Sequence, residues 1–285
     1  MRALIPAAGL ATRCLPASKA VPKELFPVFD KPAIQYVVEE ILEAGLDGAV
    51  FITASGKESI LDHFDFSPRL AQKKSLAPAL KKEVEYTSSM IDVISVRQKE
   101  AKGLGHAVFS GLAAVGNEPF AVMLPDMIFR SVGQPIFSRM FDAFQKSSAS
   151  VIALMEVPAE DVYKYGIVEG SVDKTGLFSI SSLIEKPPVG TTTSRYAIMG
   201  RYIFTPTIYS ILSNSHRGGT GEMELTDAMI ELLQQEKLYG LVMDKSDMVF
   251  DTGDLQGYAL ASAYMAAQKH PDFIDKLNAA LAGDS

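Results

Sequence analysis

The first half of the chain alternates short apolar runs with longer stretches of helical periodicity, and this alternation limits the fold more than any other feature. Helical patterns, such as those at 33–44 and 134–146, fill the intervals between the apolar runs. Strands that are joined in this way by helices form a parallel sheet covered on both faces. The apolar runs typical of strands are 3–6, 48–53, 92–96, 120–124 and 150–156.

The pattern changes after residue 156. The runs 165–169 and 177–183 flank the turn signal at 173–176, which predicts an antiparallel hairpin. A further strand is predicted at 201–204, and helices are predicted at 224–235 and 255–270. We therefore predict an α/β fold of Rossmann-like type, with a largely parallel mixed sheet flanked by helices and an added antiparallel portion.

We expect the whole chain, 1–285, to form a single domain. Neither an internal repeat nor a low-complexity linker divides it. The predicted organisation is a first half at 1–156, a second half at 157–270 and a C-terminal tail at 271–285. Residues 65–90 carry four lysines on a polar background and are predicted to form a solvated helical insertion.

The charge balance argues against nucleic acid and membranes as partners. Lys and Arg total 27 against 34 Asp and Glu, so the net charge is -7 and no general basic field is available to attract nucleic-acid phosphates. No run reaches the roughly 20 apolar residues needed to cross a bilayer.

The single cysteine, Cys14, cannot form an intrachain disulfide. We therefore expect a cytoplasmic protein, although the cysteine count leaves secretion formally possible.

The segment that follows the first predicted strand has the composition of a phosphate-holding loop. Small residues between Pro6 and Pro27 let backbone N–H groups approach an anion, and Arg13, Lys19 and Lys23 supply positive charge. The loop lacks both G-x-G-x-x-G and a G-K-[S/T] ending, which argues against a nicotinamide oxidoreductase and a P-loop. The alternative is a proline-stiffened surface connection.

Two aspartates stand at the ends of predicted strands. Asp126 follows the apolar run at 120–124, and Asp251 ends the run at 248–250. The carboxyl ends of strands are where open α/β sheets bind ligands. Carboxylates are hard ligands that Mg²⁺ accepts together with water and phosphate. The alternative for each is a turn former or helix cap.

A third group of polar residues is suited to contacting other parts of a ligand. Gln98 follows a predicted strand and has a side chain that can read a nucleobase edge. Glu185 and Lys186 are adjacent in a segment taken as extended, so they should point opposite ways and serve different parts of one ligand. A surface ion pair is the alternative. We expect His106 to be a packing or solvent-facing residue.

These segments together resemble the bacterial glucose-1-phosphate uridylyltransferases, within the sugar-phosphate nucleotidyltransferase family. The resemblance runs from Ala3 to about Ala267, and the combination of five blocks in order is highly specific. The blocks are 6–27 with 30–39, 97–98 with 103–107, 124–126, 185–187 with 200–202, and 224–228 with 251–253.

The resemblance implies a reaction between UTP and glucose 1-phosphate that gives UDP-glucose and pyrophosphate, with Mg²⁺ as cofactor. It also implies a homodimer or homotetramer and a sugar-binding role for the antiparallel portion. The implied residue roles are Ala8, Gly9, Gln98 and Gly103 at the uracil, Arg13 and Lys23 at the triphosphate, Gly166, Glu185 and Lys186 at the sugar phosphate, and Asp126 and Asp251 at Mg²⁺. Arg13, Lys23 and Lys186 are the implied catalytic residues.

One departure from the family pattern concerns Ala11. The family's loop usually reads A-G-x-G-T-R, and the second glycine is Ala11 in this chain. An added Cβ is costly where the native φ is positive, and it crowds a nearby phosphate. Two alternatives therefore stay open: a non-catalytic regulatory paralogue that binds nucleotide sugar, and an enzyme with thymidylyltransferase activity or another hexose 1-phosphate as substrate.

Overall fold

A nine-stranded mixed sheet forms the centre of the computed structural model, which describes residues 1–215 and 222–283. Two short two-stranded sheets lie beside it. The strands are β1 Arg2–Pro6, β2 Pro27–Val28, β3 Lys31–Pro32, β4 Gly48–Thr53, β5 Asp92–Arg97, β6 Phe120–Met123, β7 Met127–Arg130, β8 Ser150–Glu156, β9 Gly166–Val172, β10 Phe178–Glu185, β11 Tyr196–Phe204, β12 Leu238–Val242 and β13 Met248–Asp251.

Helices connect the parallel strands of the first half of the chain, as expected of an α/β fold. The helical stretch 104–115 is divided at Gly111, where an added Cβ would lie 2.9 Å from the side chain of Leu4. The helices are α1 Ala33–Glu43, α2 Ser59–Asp62, α3 Pro68–Ala71, α4 Pro78–Ser89, α5 Leu104–Ser110, α6 Leu112–Val115, α7 Ile136–Ser147, α8 Thr207–Asn214, α9 Leu225–Leu232, α10 Leu255–Lys269 and α11 Phe273–Ala282.

The strand order of the large sheet is β5-β4-β1-β6-β11-β8-β12-β10-β9. Strands β5, β4, β1 and β6 are parallel, as the alternation in the first half predicts. Strand β11 runs antiparallel between β6 and β8, so the second half of the chain is inserted into the sheet and not only appended to it. The fold class predicted from the sequence is confirmed.

The second half also contains the predicted antiparallel portion. Strands β9 and β10 pair antiparallel around the turn at 173–176, as predicted from its sequence. Strand β11 is longer than the predicted 201–204. Helix α11 begins at Phe273, within the tail predicted at 271–285, whose last two residues lie outside the described residues. The division into two halves stays a prediction.

Side chains of successive strand residues pack on opposite faces of the sheet. In β1, Ala3 and Ile5 join a buried cluster with residues of α1 and α7, whereas Leu4 joins a second cluster with residues of α5, α8 and α9. This alternation is the pleat of a strand that is buried on both sides. The insertion predicted at 65–90 contains α3 and α4, in which no residue is buried.

The large sheet also buries a cation. The side chain of Arg201 on β11 is fully buried and donates to both carboxylate oxygens of Glu40 on α1, the shortest contact being 2.7 Å. Its remaining hydrogens go to the backbone carbonyls of Leu124, Met127 and Gly200, at 2.8–3.1 Å. Arg201 therefore fixes the backbone on both sides of Asp126.

No helix among residues 1–215 and 222–283 combines the length and the apolar character needed to cross a membrane.

Candidate active site

The candidate site lies at the carboxyl edge of the parallel strands. Strands β1 and β6 are parallel neighbours, so the loop that follows Pro6 and the segment that follows Met123 leave the sheet at the same edge. The first loop carries Arg13 and Lys23, and the second carries Asp126. Parallel pairing alone therefore places the predicted phosphate-holding loop beside the first predicted metal ligand.

The loop after β1 is wound into three short 3-10 turns, at Thr12–Cys14, Ala17–Lys19 and Lys23–Leu25. The carbonyl of Ala11 accepts hydrogen bonds from the Cys14 N–H at 3.0 Å and the Ser18 hydroxyl at 2.8 Å. The Cys14 thiol is buried and donates to the Gly253 carbonyl at 3.3 Å. Burial raises the pKa of Cys14, so this thiol ties the loop to the segment after β13 and is not a reactive thiolate.

Ala11 has the positive φ that the sequence could not exclude. Its φ of 53° and ψ of 40° lie in the left-handed region. For a residue with a Cβ this conformation costs about 1–2 kcal/mol. The departure of Ala11 from the family pattern is therefore a strained one, at a residue that lines the cavity beside the loop.

We expect Ala11→Gly to leave the free energy of unfolding unchanged or to raise it by up to about 1 kcal/mol, because relief of the strain outweighs or balances the extra entropy of glycine in the unfolded chain. Ala20→Gly is the matched control in the same loop, since Ala20 has a φ of -120°. That variant should lose roughly 0.5–1 kcal/mol. Urea unfolding followed by circular dichroism measures both, and equal losses in the two variants would contradict the strain at Ala11.

The small antiparallel sheet of β7 and β13 brings the two predicted metal ligands together. Asp251 pairs with Met127, the neighbour of Asp126. The Thr252 N–H and hydroxyl both donate to the Asp126 carbonyl, at 2.7 and 2.9 Å. A Cβ placed on Gly253 would lie 2.8 Å from a carboxylate oxygen of each aspartate, so these oxygens are at most twice that distance apart.

Two cations from the loop after β1 lie against this acidic pair. The Lys23 ammonium is 2.5 Å from Asp126 Oδ2, and an Arg13 guanidinium nitrogen is 3.9 Å from Asp251 Oδ2. Lys23 is largely buried, whereas the Arg13 side chain is 63% exposed. The structure thus gathers all four of these predicted site residues in one cluster, with Arg13 open to a ligand.

The electrostatics of the cluster are those of carboxylates held close together. Burial, and then the nearby charge of Asp126, raise the pKa of Asp251. Burial by itself lowers the pKa of Lys23, but the charge and hydrogen bond of Asp126 outweigh it and the pKa is raised. Lys23 therefore stays protonated at neutral pH, and the acidic pair retains a repulsion that a further cation relieves.

The pair has the composition of a magnesium site that is completed by its ligand. Asp126 and Asp251 offer hard oxygen donors, and Gly253 leaves open the space that a Cβ would occupy between them. Among the described residues no group of three His, Cys, Asp or Glu side chains is arranged for a metal ion. Mg²⁺ commonly takes one or two carboxylates and completes its shell with water and phosphate oxygens. The residues present fit this ion.

The four residues that the sequence assigns to a nucleobase line one cavity of about 360 Å³. Gly103 has a φ of 91°, and a Cβ there would lie 2.7 Å from the Met223 carbonyl, so only glycine is accommodated. Gln98 is buried in the wall of this cavity. The four residues that the structure brings together are Ala8, Gly9, Gln98 and Gly103.

His106 is half-buried and makes a polar contact that the sequence analysis did not predict. Its Nδ1 lies 2.9 Å from Nε2 of Gln98, whose Nε2 also donates to the Gly103 carbonyl at 3.2 Å. Sequence reasoning missed this contact because it sought a nucleophile or a metal ligand beside His106. The available signal was that His106 lies in the first turn of α5, three residues after Gly103, the glycine that caps this helix.

The residues assigned to the sugar phosphate meet where β9 and β10 pair. Glu185 is the register partner of Gly166, and a Cβ on Gly166 would lie 3.1 Å from Glu185 Oε2. The Thr226 hydroxyl donates to that same oxygen at 2.7 Å. Sequence analysis did not assign Thr226, although it lies in one of the five blocks. The structure therefore provides a fixed carboxylate beside a glycine at the edge of the sheet.

Lys186 corrects the expectation that Glu185 and Lys186 point opposite ways. Its φ is 44°, so the segment is left-handed at this residue and not extended. The Lys186 ammonium returns to lie 3.2 Å from Glu185 Oε1. The Lys186 N–H donates to the Tyr165 carbonyl at 3.0 Å, and the pKa of Tyr165 is raised by burial and then by the charge of Asp251. Tyr165, whose carbonyl Lys186 contacts, is therefore close enough to Asp251 to be affected by its charge.

The sequence of this chain is similar to those of known proteins over nearly its whole length. The family model for nucleotidyl transferases matches residues 2–268. The UTP–glucose-1-phosphate uridylyltransferase of Bacillus subtilis (strain 168) is 40% identical over 270 residues, which cover 94% of this chain and 91% of that protein. The enzyme of the same name from Staphylococcus epidermidis is 39% identical over 281 residues, or 98% and 96% of the two chains.

The fold is also similar to solved structures of UDP-glucose pyrophosphorylases. A UDP-glucose pyrophosphorylase in complex with UDP-glucose superposes with a TM-score of 0.85 at 37% identity, covering 94% of this chain and 98% of that one. A UTP-bound UGPase from Acinetobacter baumannii has a TM-score of 0.86 at 35% identity, covering 99% and 98%.

Proposed function

Since this chain belongs to the nucleotidyl transferase family, we infer that it transfers the uridylyl group of UTP to glucose 1-phosphate, giving UDP-glucose and pyrophosphate. The observation that carries this function is the similarity of nearly the whole chain to UTP–glucose-1-phosphate uridylyltransferases. The site supports it, because a cavity of about 360 Å³, a cationic loop, an acidic pair and the paired residues Gly166 and Glu185 lie near one another.

In the proposed reaction, a phosphate oxygen of glucose 1-phosphate attacks the α-phosphorus of UTP. A new P–O bond forms, and the bond to the β-phosphate breaks with pyrophosphate leaving. No general base is needed, because the second pKa of a phosphate monoester is about 6 and the nucleophile is largely a dianion at neutral pH. Catalysis then consists of positioning two anions and cancelling their repulsion.

Residues of this chain position the two anions and cancel much of their repulsion. We assign Arg13, which is open to solvent, and Lys23, which is held by Asp126, to the triphosphate. Asp126 and Asp251 would hold Mg²⁺, which supplies charge neutralisation to the phosphates when bound. Glu185, fixed by Thr226, accepts hydrogen bonds from sugar hydroxyls, and Lys186 faces the attacking phosphate.

We expect Lys186→Ala to lower kcat/KM for glucose 1-phosphate by roughly tenfold or more, because it removes a positive charge from the approach of the nucleophile. UTP binding should change little, since the cavity and the loop after β1 do not include Lys186. Lys174→Ala, in the turn at 173–176, is the control for loss of an exposed lysine in the same portion. Equal losses of sugar-phosphate turnover and UTP affinity would reject the assignment.

Pyrophosphate release by the purified protein, measured with Mg²⁺, tests the function. UTP with glucose 1-phosphate should give the highest rate, with dTTP and galactose 1-phosphate as the competing substrates. Absence of product with every pair, together with retained binding of UDP-glucose, would instead identify a regulatory paralogue.

The proposal includes a cytoplasmic location and assembly as a homodimer or homotetramer. The single cysteine supports the first, and the family resemblance supports the second. Light scattering on the purified protein measures the assembly, and a monomer at assay concentrations would contradict it.

A further inference from the structure

We infer that His106 strengthens the preference of the cavity for one nucleobase, by helping the Gly103 carbonyl to orient the Gln98 side-chain amide. This inference rests on the proposed function, since it concerns how the same cavity recognises the base of its nucleotide. His106 is a positioning residue here, because it acts on the ligand only through Gln98.

The argument begins with the atoms around the Gln98 amide. The Gly103 carbonyl has no hydrogen to donate, so the amide atom that faces it at 3.2 Å must be the nitrogen. The same Nε2 lies 2.9 Å from His106 Nδ1. Nδ1 must therefore accept, which places the ring proton of His106 on Nε2. One carbonyl and one imidazole lone pair together take both hydrogens of the amide.

The protonation state that this arrangement needs is the favoured one. Burial lowers the pKa of His106, and the positive charge of Lys102 lowers it further, against a smaller opposing effect of Glu100. The neutral imidazole, which retains a lone pair, is thus the form present near neutral pH.

With both hydrogens engaged, the amide oxygen is left for the ligand. Gln98 lines the cavity, and its Oε1 accepts no hydrogen bond from the described residues. The cavity therefore presents an acceptor at this point. Uracil has an N3–H donor on its pairing edge, whereas cytosine has a lone pair at N3. An amide held in this orientation attracts the first and repels the second.

The reverse orientation would remove this selection. A turned amide places Oε1 against the Gly103 carbonyl, so two acceptor atoms meet and that hydrogen bond is lost. It keeps its hydrogen bond with His106 only if the ring proton of His106 moves from Nε2 to Nδ1. It would also present an N–H to the base, which suits N3 of cytosine. The Gly103 carbonyl opposes this turn in any case, and His106 opposes it as long as the ring proton stays on Nε2.

The test compares His106→Ala with His106→Asn, in which the side-chain oxygen can take the place of Nδ1 as acceptor. We would measure kcat/KM for UTP, CTP and dTTP with glucose 1-phosphate. His106→Ala should lower the UTP/CTP ratio by roughly threefold to tenfold, at most the effect of one net hydrogen bond, mainly through KM, because the Gly103 carbonyl still opposes the turned amide. The UTP/dTTP ratio should not change, because thymine presents the same N3–H edge. His106→Asn should restore most of the UTP/CTP ratio.

An unchanged UTP/CTP ratio in His106→Ala would overturn the inference, as would an equal fall in both ratios or an Asn variant no better than Ala. Equal use of UTP and CTP by the natural protein would overturn it as well. If the natural protein releases no pyrophosphate, the proposed function fails, but calorimetric titration of the same variants with UMP and CMP still tests His106. Circular dichroism establishes that each variant is folded.

Discussion

Asp251→Ala should lower Mg²⁺-dependent turnover by about 10²-fold or more, the size of loss expected when a metal-held group stabilises the transition state. The reason is structural. Carboxylate oxygens of Asp251 and Asp126 both lie beside Gly253, and this is the acidic pair that we assign to the ion. The affinity for Mn²⁺, followed by its paramagnetic resonance signal, should fall in parallel. Asp126→Ala should behave in the same way.

Asp251→Asn is the matched variant for this prediction. Its side-chain oxygen can still accept from the Gly253 N–H, as Asp251 Oδ1 does at 2.7 Å, so the local backbone is kept while the charge is lost. Most of the activity loss should therefore remain, and raised Mg²⁺ should recover part of it. A near-normal rate in Asp251→Asn or Asp251→Ala would reject the metal assignment.

Arg201→Met should lower the free energy of unfolding by about 3–5 kcal/mol, the range found when one partner of a buried ion pair is removed. The variant leaves the Glu40 carboxylate buried beside three carbonyls that have lost their donor. Urea unfolding followed by circular dichroism measures the loss. Arg195→Met is the control, because Arg195 pairs with Glu156 at the surface and should contribute under about 1 kcal/mol.

A double variant separates the charge of Arg201 from its contacts to the backbone. Arg201→Met combined with Glu40→Leu removes both buried charges and should recover much of the stability lost in the single variant. Turnover should be lower than in the natural protein in both the single and the double variant. The carbonyls of Leu124 and Met127, on either side of Asp126, lack a donor in both. Equal stability of Arg201→Met and Arg195→Met would contradict this account.

The sequence predicted well what depends on local pattern. Strands β4 and β8 have the predicted bounds, because continuous apolar runs bounded by polar residues leave little choice of register. The hairpin of β9 and β10 was predicted from its turn residues. The position of Asp126 at a strand end followed directly from the apolar run before it. Each of these inferences needs only neighbouring residues.

What the sequence left open depends on long-range pairing. Strand β7 was not predicted from its four residues, and without β7 nothing places Asp251 beside Asp126. The insertion of β11 between β6 and β8 is likewise a choice among sheet orders that a local pattern does not make. The left-handed conformations of Ala11 and Lys186 are imposed by the surrounding fold, against the preference of residues with a Cβ.

The pairing of β7 with β13 also bears on when the enzyme becomes competent during its synthesis. Asp126 leaves the ribosome with the first half of the chain, whereas Asp251 belongs to one of the last segments to be made. The four residues that we assign to the base, and the cationic loop, are made long before the second carboxylate. Translation that stops before Met248 therefore yields a chain without half of the divalent-cation site that we propose, so we expect an unfinished product not to consume UTP.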